Sequence, residues 1–540
     1  MRRFTLLGAL CAACLASSAL AQTQSAPFII DRNRADRTPP PAAPAEPPVA
    51  QPAPYNANTA IKPFTLTGVR IEGTSLPPDV IAAAARGFIG KRIAASADLT
   101  VIAQGVSDAY GQRSDIALYT VTVPAQNFDG GLLRLVVTEG FIEHVDLAGD
   151  TGGDVARVVA LANKLTLEKP LRRATLQRYL SLIRDLPGLT VDAAMLKGAT
   201  PGAVRLVLTL KQKPYAVALS VINGGNALLG RTQLQADLSL YNLLREGEET
   251  KFTFGTSTIV SRYQYFGLSH SEALDDEGTR ATLAYGYLRT DVGTIALSGQ
   301  AQTLQLALSH PVIRSFDENL SIGAGLDGLD SRNALIGTLI SSEHVRALRA
   351  NAGYSLTDPK WAMTLSASVS QGLDFADARS SVGQVDFQKL VLQGGYNRLL
   401  NEEWVVRLKA VTQLAGAALP VSELYALGGP DFGRAFLAAS ALGDSALAGS
   451  AEIGFNPKGL PGILTGLEAF VFADDGAAWL RARPLSLATT YHLASAGAGI
   501  RVPIGANTKL ELAAANALSA NAPGTRAGSW RLLLGLNSSF

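Results

Sequence analysis

The sequence predicts an exported chain in two parts: two small α+β domains in tandem, then a closed transmembrane antiparallel β-barrel of about 16 strands. Three observations predict it. The chain opens on a removable apolar leader; its first folded portion runs twice through the order strand, helix, helix, strand, strand; and everything after Lys213-Pro214 alternates as strands do. Composition agrees. Of 540 residues, 47% are hydrophobic, 17% are charged and 52 are glycine, a balance that suits antiparallel sheet better than a cytosolic enzyme.

Residues 1–21 read as a signal peptide. Arg2 and Arg3 form the basic start, Leu6 to Leu15 the apolar centre, and Ala19-Leu20-Ala21 a small-x-small cleavage site before Gln22. The two cysteines of the chain, Cys11 and Cys14, both fall inside this leader, and neither is preceded by a well-formed lipoprotein motif. The mature chain therefore has no disulfide and no cysteine-ligated metal. Against 47 Lys and Arg stand 45 Asp and Glu, and Arg2 and Arg3 leave with the leader, so the mature balance is zero. Nothing in that balance points to nucleic acid. Past the leader no apolar run reaches the roughly 18–20 residues of a membrane helix, so a membrane-spanning chain must do so as a closed barrel.

Residues 22–63 form a Pro-rich linker, with Pro39-Pro40-Pro41, Pro44, Pro47-Pro48, Pro52 and Pro54 among alanines. Within it, Asp31 to Arg37 reads either as a short N-terminal helix or as a solvated tail. The first α+β domain spans 64–140. Phe64 to Ile71 is expected as a strand, Val80 to Phe88 as a helix behind Pro77-Pro78-Asp79, Ser96 to Tyr110 as a second helix capped by Ser96, and Tyr119 to Val123 and Leu132 to Thr138 as strands. The second domain, 141–213, repeats the order. Its elements are a strand from Phe141 to Leu147, helices from Val155 to Leu165 and Arg172 to Leu186, and strands at Met195–Gly198 and Val204 to Leu210.

Residues 214–540 are expected to be barrel. Leu283, Tyr285 and Tyr287, or Leu304, Leu306 and Leu308, put apolar side chains on one face while polar residues take the other. The last strand does so most cleanly. Trp530, Leu532, Leu534, Leu536, Ser538 and Phe540 share one face, and the chain ends on the aromatic.

One stretch inside this half is neither strand nor helix. Gly428-Gly429-Pro430-Asp431-Phe432-Gly433-Arg434-Ala435-Phe436 must be a folded loop, and it holds a cation between two aromatic rings. Some forty residues on, Phe472-Ala473-Asp474-Asp475-Gly476 lies within a strand pattern and offers a carboxylate. An ion pair between Arg434 and Asp474 would lock the loop into the lumen. Asp475, one residue away, faces the opposite side of the strand.

The two domains resemble POTRA domains, and their place ahead of a barrel ending in phenylalanine resembles the outer-membrane superfamily that includes BamA. Within it, the Pro-rich start, two POTRA-like units and a barrel of this size are similar to the two-partner secretion transporters of the haemolysin secretion and activation type (ShlB, FhaC, HecB). That family carries Arg-Gly-Phe or Arg-Gly-Tyr at the end of a glycine-rich loop, where this chain has Arg434-Ala435-Phe436. It also carries Phe-x-Asp-x-Gly in a late strand, matched by Phe472, Asp474 and Gly476, and Asn223-Gly224-Gly225 with Gly230-Arg231 resembles its first barrel hairpin. The resemblance implies a loop lock formed by Arg434, Asp474, Phe436, Phe472, Gly476, Gly428 and Gly429, and a barrel assembly signal carried by Trp530 and Phe540. It also implies ATP-independent export of a large secreted exoprotein client of the β-helical adhesin or haemolysin type, with outer-membrane lipid and the assembly machinery as further partners.

No enzyme constellation accompanies these features. There is no Gly-x-Ser-x-Gly elbow, no phosphate-binding glycine loop and no His-Glu-x-x-His pair, and the five histidines are scattered, so no cofactor and no metal is expected. Two other functions fit a barrel with periplasmic domains: an assembly factor for outer-membrane proteins, and a passive porin-like channel.

Overall fold

The computed structural model describes residues 61–150, 155–335, 338–483 and 487–540. The signal peptide, the linker up to residue 60 and the polar segment at 31–37 lie outside the described residues.

In the first α+β domain, Gly68–Glu72 pairs in parallel with Leu132–Glu139, which pairs antiparallel with Tyr119–Thr122. The single strand expected over Phe64 to Ile71 is instead two. Phe64–Thr65 joins Arg92–Ile93, and the chain changes ladder at Leu66, whose side chain is fully buried. The first helix is also shorter than expected, with α-helix only over Pro78–Ala82 and a 3₁₀ segment over Ala83–Phe88. Ile81 and Ala85 are the buried residues along it, too little apolar stripe to hold a longer α-helix down.

The helix Ser96–Arg113 is set by Leu99, Ile102, Ala103, Val106 and Tyr110, a buried stripe at helical spacing. Its cap differs from expectation. Ser96 is the first helical residue, and Asp98 reaches back to accept the N–H groups of Ala95 and Ala94 at 3.0 and 2.9 Å, which hold its carboxyl below the usual range. Tyr110 at the far end is fully buried and donates to the Glu139 carboxylate, which also accepts the Ser75 N–H at 2.6 Å.

The second domain repeats the sheet, with Ala203–Gln212 between Phe141–Gly149 (parallel) and Leu189–Lys197 (antiparallel). Leu189–Lys197 starts well before the expected Met195, since its inward residues Val191, Ala193 and Met195 alternate into the core. Helices Ala156–Thr166 and Arg173–Arg184 cover that face with Leu161, Leu165, Leu176, Leu180 and Ile183.

From Tyr215 onward, sixteen strands among the described residues close into a barrel. Neighbours in sequence pair antiparallel, and the last strand, Trp530–Ser539, returns to the first, Tyr215–Ile222. Phe540 continues that seam by exchanging backbone bonds with Val217 at 2.8 and 3.1 Å. Leu304, Leu306 and Leu308 stand exposed on the outer face, as do Trp530, Leu532 and Leu534, an apolar girdle suited to hydrocarbon. No helix among the described residues is long and apolar enough to cross a membrane. The regular meander is interrupted at 416–444, where a long connection separates strands Trp404–Ala415 and Ser445–Phe455.

The Tyr110–Glu139 pair generates a pH prediction. Burial alone would raise the Glu139 value, but the Tyr110 hydroxyl and the Ser75 N–H outweigh it and hold the carboxyl below its ordinary 4.5. A carboxyl depressed in the folded state contributes stability above its unfolded value and loses it as pH falls through the folded one. Hydrogen-exchange protection across residues 64–140 of the full chain, corrected for intrinsic rates, should therefore hold above pH 4.5 and decline below it. Glu139→Gln should flatten that decline; an identical slope in the variant would show that the pair adds nothing.

Candidate functional site

The connection 416–444 returns inside the barrel as a narrow ribbon, Tyr425–Leu427 pairing antiparallel with Ala441–Gly443. Beyond it come Gly428 and Gly429 at φ +100° and +108°. A side chain at Gly428 would be strained by that backbone, and its Cβ would also sit 2.6 Å from the Leu437 carbonyl oxygen. The glycine pair is thus the joint from which the tip, residues 430–440, turns toward the wall. The tip is closed by Gly428 N–H donating to the Phe432 carbonyl at 3.2 Å and Phe436 N–H to the Gly433 carbonyl at 2.9 Å. Phe432 and Phe436 bury among Phe470, Phe472 and Leu493. Ala435 takes an ordinary negative φ, so its methyl is accommodated without backbone strain.

The wall opposite the tip is built by strand periodicity. Phe472, Asp474 and Gly476 of strand Glu468–Leu480 are two apart and so share one face. Each meets a different part of the loop. The Phe472 ring lies 3.5 Å from the Arg434 guanidinium carbon, a cation–π stack. Asp474 accepts from Arg434 Nη2 at 2.8 Å, from Nε at 3.0 and 3.2 Å, and from the Arg434 backbone N–H at 3.1 Å. Gly476 leaves space for Leu427 of the ribbon, because a Cβ there would sit 2.8 Å from its Cδ1.

Neighbouring strands complete the seat. Ser450 and Ser495 stand in register with Asp474 on either side; Ser450 Oγ accepts from Arg434 Nη2 at 2.8 Å, and Ser495 Oγ donates to Asp474 at 3.1 Å. Glu452 accepts from Arg434 Nη1 at 3.0 Å. With 8% of the Arg434 side chain exposed and none of Asp474, this is a buried pair, and deleting either partner strands the other charge at a cost of about 3–5 kcal/mol.

The two carboxylates are not equivalent. Glu452 also accepts from Arg501 at 2.5 and 3.0 Å and from Arg407 at 3.1 Å, and both arginines bond Glu468 in turn. Arg501 stacks on Phe470 at 3.9 Å as Arg434 does on Phe472. Glu452 therefore keeps cationic partners whether or not the loop is seated, whereas Asp474 has its cation from Arg434.

Sequence reasoning named Arg434, Asp474, Phe436, Phe472, Gly476, Gly428 and Gly429, and the structure brings these seven together. It missed Ser450, Glu452, Ser495, Arg407 and Arg501, although polar residues at inward parity on strands flanking Asp474 were a usable signal. Trp530 and Phe540 lie outside the seat, 72% and 58% exposed. Between them, Arg531 donates to the carbonyls of Phe436 and Asn223, so the last strand touches the tip through its inward residue. Asp475 points away, with its side chain 71% exposed and 2.7 Å from His492. The histidines scattered in sequence are not isolated in the fold: His270 lies 3.5 Å from Glu248 and His344 lies 3.4 Å from Asp377. Among the described residues no group of His, Cys, Asp and Glu is arranged to hold a metal ion.

Comparison with known proteins follows the same outline. The family model of the haemolysin secretion/activation protein ShlB/FhaC/HecB matches residues 202–502, and that of the ShlB-type POTRA domain matches residues 64–140. The heme/hemopexin transporter protein HuxB of Haemophilus influenzae is 24% identical over 267 residues, covering 48% of this chain and 47% of HuxB. The chain thus spans about half the length of the curated relatives it matches. CdiB from Escherichia coli superposes with a TM-score of 0.68 at 19% identity over 96% of this chain and 98% of that one. CdiB from Acinetobacter baumannii gives 0.65 at 16% identity over 97% and 99%. These two likenesses establish a shared fold.

The inequality of the carboxylates is testable. Asp474→Asn should raise hydrogen exchange across residues 428–440 more than Glu452→Gln does, with both barrels still migrating as folded, heat-modifiable species. Equal effects would mean that Glu452 depends on the loop as much as Asp474 does.

Proposed function

We propose, for a chain that belongs to the haemolysin secretion/activation family ShlB/FhaC/HecB, that it exports a partner protein through its barrel and that the Arg434 seat governs the passage. The barrel lies in the outer membrane and the POTRA domains in the periplasm. The client is a large secreted exoprotein of the β-helical adhesin or haemolysin type, arriving unfolded and crossing without ATP. Edge strands such as Leu189–Lys197 offer it backbone donors and acceptors, and pairing by main chain tolerates varied client sequence. No catalytic chemistry is part of this reading. Outer-membrane lipid covers the apolar girdle, and Trp530 and Phe540 present the assembly signal to the machinery that inserts the barrel.

The observation that carries the proposal is Arg434, buried and stacked against the inner wall with each of its three guanidinium nitrogens hydrogen-bonded. A loop tip held by a desolvated cation is secure while that cation is paired, and comes away from the wall when it is not. A passive channel has no use for such a seat.

Arg434→Ala should leave a membrane-inserted barrel at normal abundance and cut export of the client by more than about tenfold, since the seat loses a buried charge pair. Client secretion measured at matched barrel levels decides it, and normal export would remove the lock. Deleting Phe540 should lower the amount of heat-modifiable barrel in outer-membrane fractions; an unchanged amount would show that the terminal residue carries no assembly signal.

A further inference from the structure

The same connection is held at a second place, by charges of the opposite sense. At the tip the loop supplies the cation; at its foot it supplies the anion. Glu423 lies just before the ribbon, in the short turn Val421–Glu423, with 3% of its side chain exposed. Its carboxylate accepts from Arg349 at 2.7 Å and from Lys389 at 2.6 Å, and its carbonyl accepts from Lys389 at 3.2 Å and Gln413 at 3.1 Å. Those donors stand on three wall strands, Thr338–Asp358, Gln388–Leu399 and Trp404–Ala415; none of the three bonds Arg434 directly, although the last also carries Arg407 of the belt around Glu452. Arg349 is further fixed by Asp327 at 2.6 and 3.0 Å.

Asp444 closes the neck beside this foot. Fully buried, it accepts the Leu419 N–H at 2.6 Å and the Arg481 N–H at 2.7 Å, and takes both arms of Arg483 at 2.8 and 3.0 Å. The two ends of the connection are thereby tied to each other and to the wall. Leu419, Leu424 and Leu442 add an apolar contact with Leu329, Val345 and Phe387.

We propose that Glu423 is a positioning residue: with Asp444 it keeps the foot and ribbon docked at all times, so that release of Arg434 moves only the tip beyond Gly428-Gly429. The inference rests on the export reading for its purpose, and on the two anchors of opposite sign for its geometry. Moving the whole connection would part Glu423 from Arg349 and Lys389 as well as Arg434 from Asp474, whereas pivoting at the glycine pair breaks the Arg434 side alone. The foot then sets where the tip re-seats.

The two cysteines of the chain are Cys11 and Cys14, both within the expected leader, so single cysteines report cleanly. Ala438→Cys probes the tip and Ala441→Cys the ribbon, at positions 5% and 2% exposed. In the full-length protein in proteoliposomes, labelled with a bulky membrane-impermeant maleimide, Arg434→Ala should speed labelling at position 438 by more than about tenfold and leave position 441 within about twofold, the first having lost its buried partner and the second keeping its own. Glu423→Gln should expose position 441 in a barrel that still runs as a folded species, and Glu423→Asp, which retains the carboxylate, should restore protection there. Arg434→Ala exposing both positions alike, or Glu423→Gln leaving position 441 protected, would overturn the proposal. The export reading fails separately, by normal client secretion from Arg434→Ala whatever the labelling pattern.

Discussion

A guanidinium taken out of water must recover in the protein every interaction it gave up, and the lumen of this barrel is arranged around that requirement. Arg434 is stacked on Phe472, forked against Asp474, and bonded to Ser450 and Glu452. Few other geometries satisfy its donors with a planar carboxylate below and an aromatic face behind, so the position of the loop tip is defined to within a hydrogen bond. The surrounding belt of Glu452, Arg501, Glu468 and Arg407 keeps the remaining charges compensated in pairs, which leaves Asp474 as the member whose balance depends on the loop.

The wall motif becomes one structural statement when taken with the pleat of its strand. Residues two apart project into the same lumen, so a ring, a carboxylate and an absent side chain meet in turn the guanidinium, its charge and Leu427. The glycine matters as well as the acid, for a Cβ there would press on Leu427 and oblige its side chain to shift. Opposite parity sends Asp475 outward to His492, which is why two adjacent aspartates have unlike environments.

The family match covers the residues that build the seat, and the geometry shows what those residues do together. The matched segments are residues 64–140 and 202–502, and the seat is a handful of side chains within the latter. The second anchor at Glu423 belongs to neither motif. It illustrates how a loop of some thirty residues can be held against a curved wall: by desolvated charges at two separate arcs, with glycines between them to absorb the change of direction.

What could be read directly from the residues was whatever depends on local periodicity or on a side chain's own chemistry. Alternation announced the barrel, the stretch Ser96 to Tyr110 could be read as a helix, and a lone arginine in a glycine-rich loop announced a need for a carboxylate. Asp474 could be named because its strand pattern and its flanking Phe472 and Gly476 are contiguous. Long-range pairing decided the rest. Whether Phe64 and Ile71 share a strand depends on Arg92–Ile93 arriving beside one and Leu132–Glu139 beside the other, and the cap of the helix fell to Asp98 because its carboxylate reaches two free N–H groups at once. Glu423 and Arg349 are unremarkable in sequence, since a charge declares its importance only when closure of the barrel has removed its water and chosen its partner.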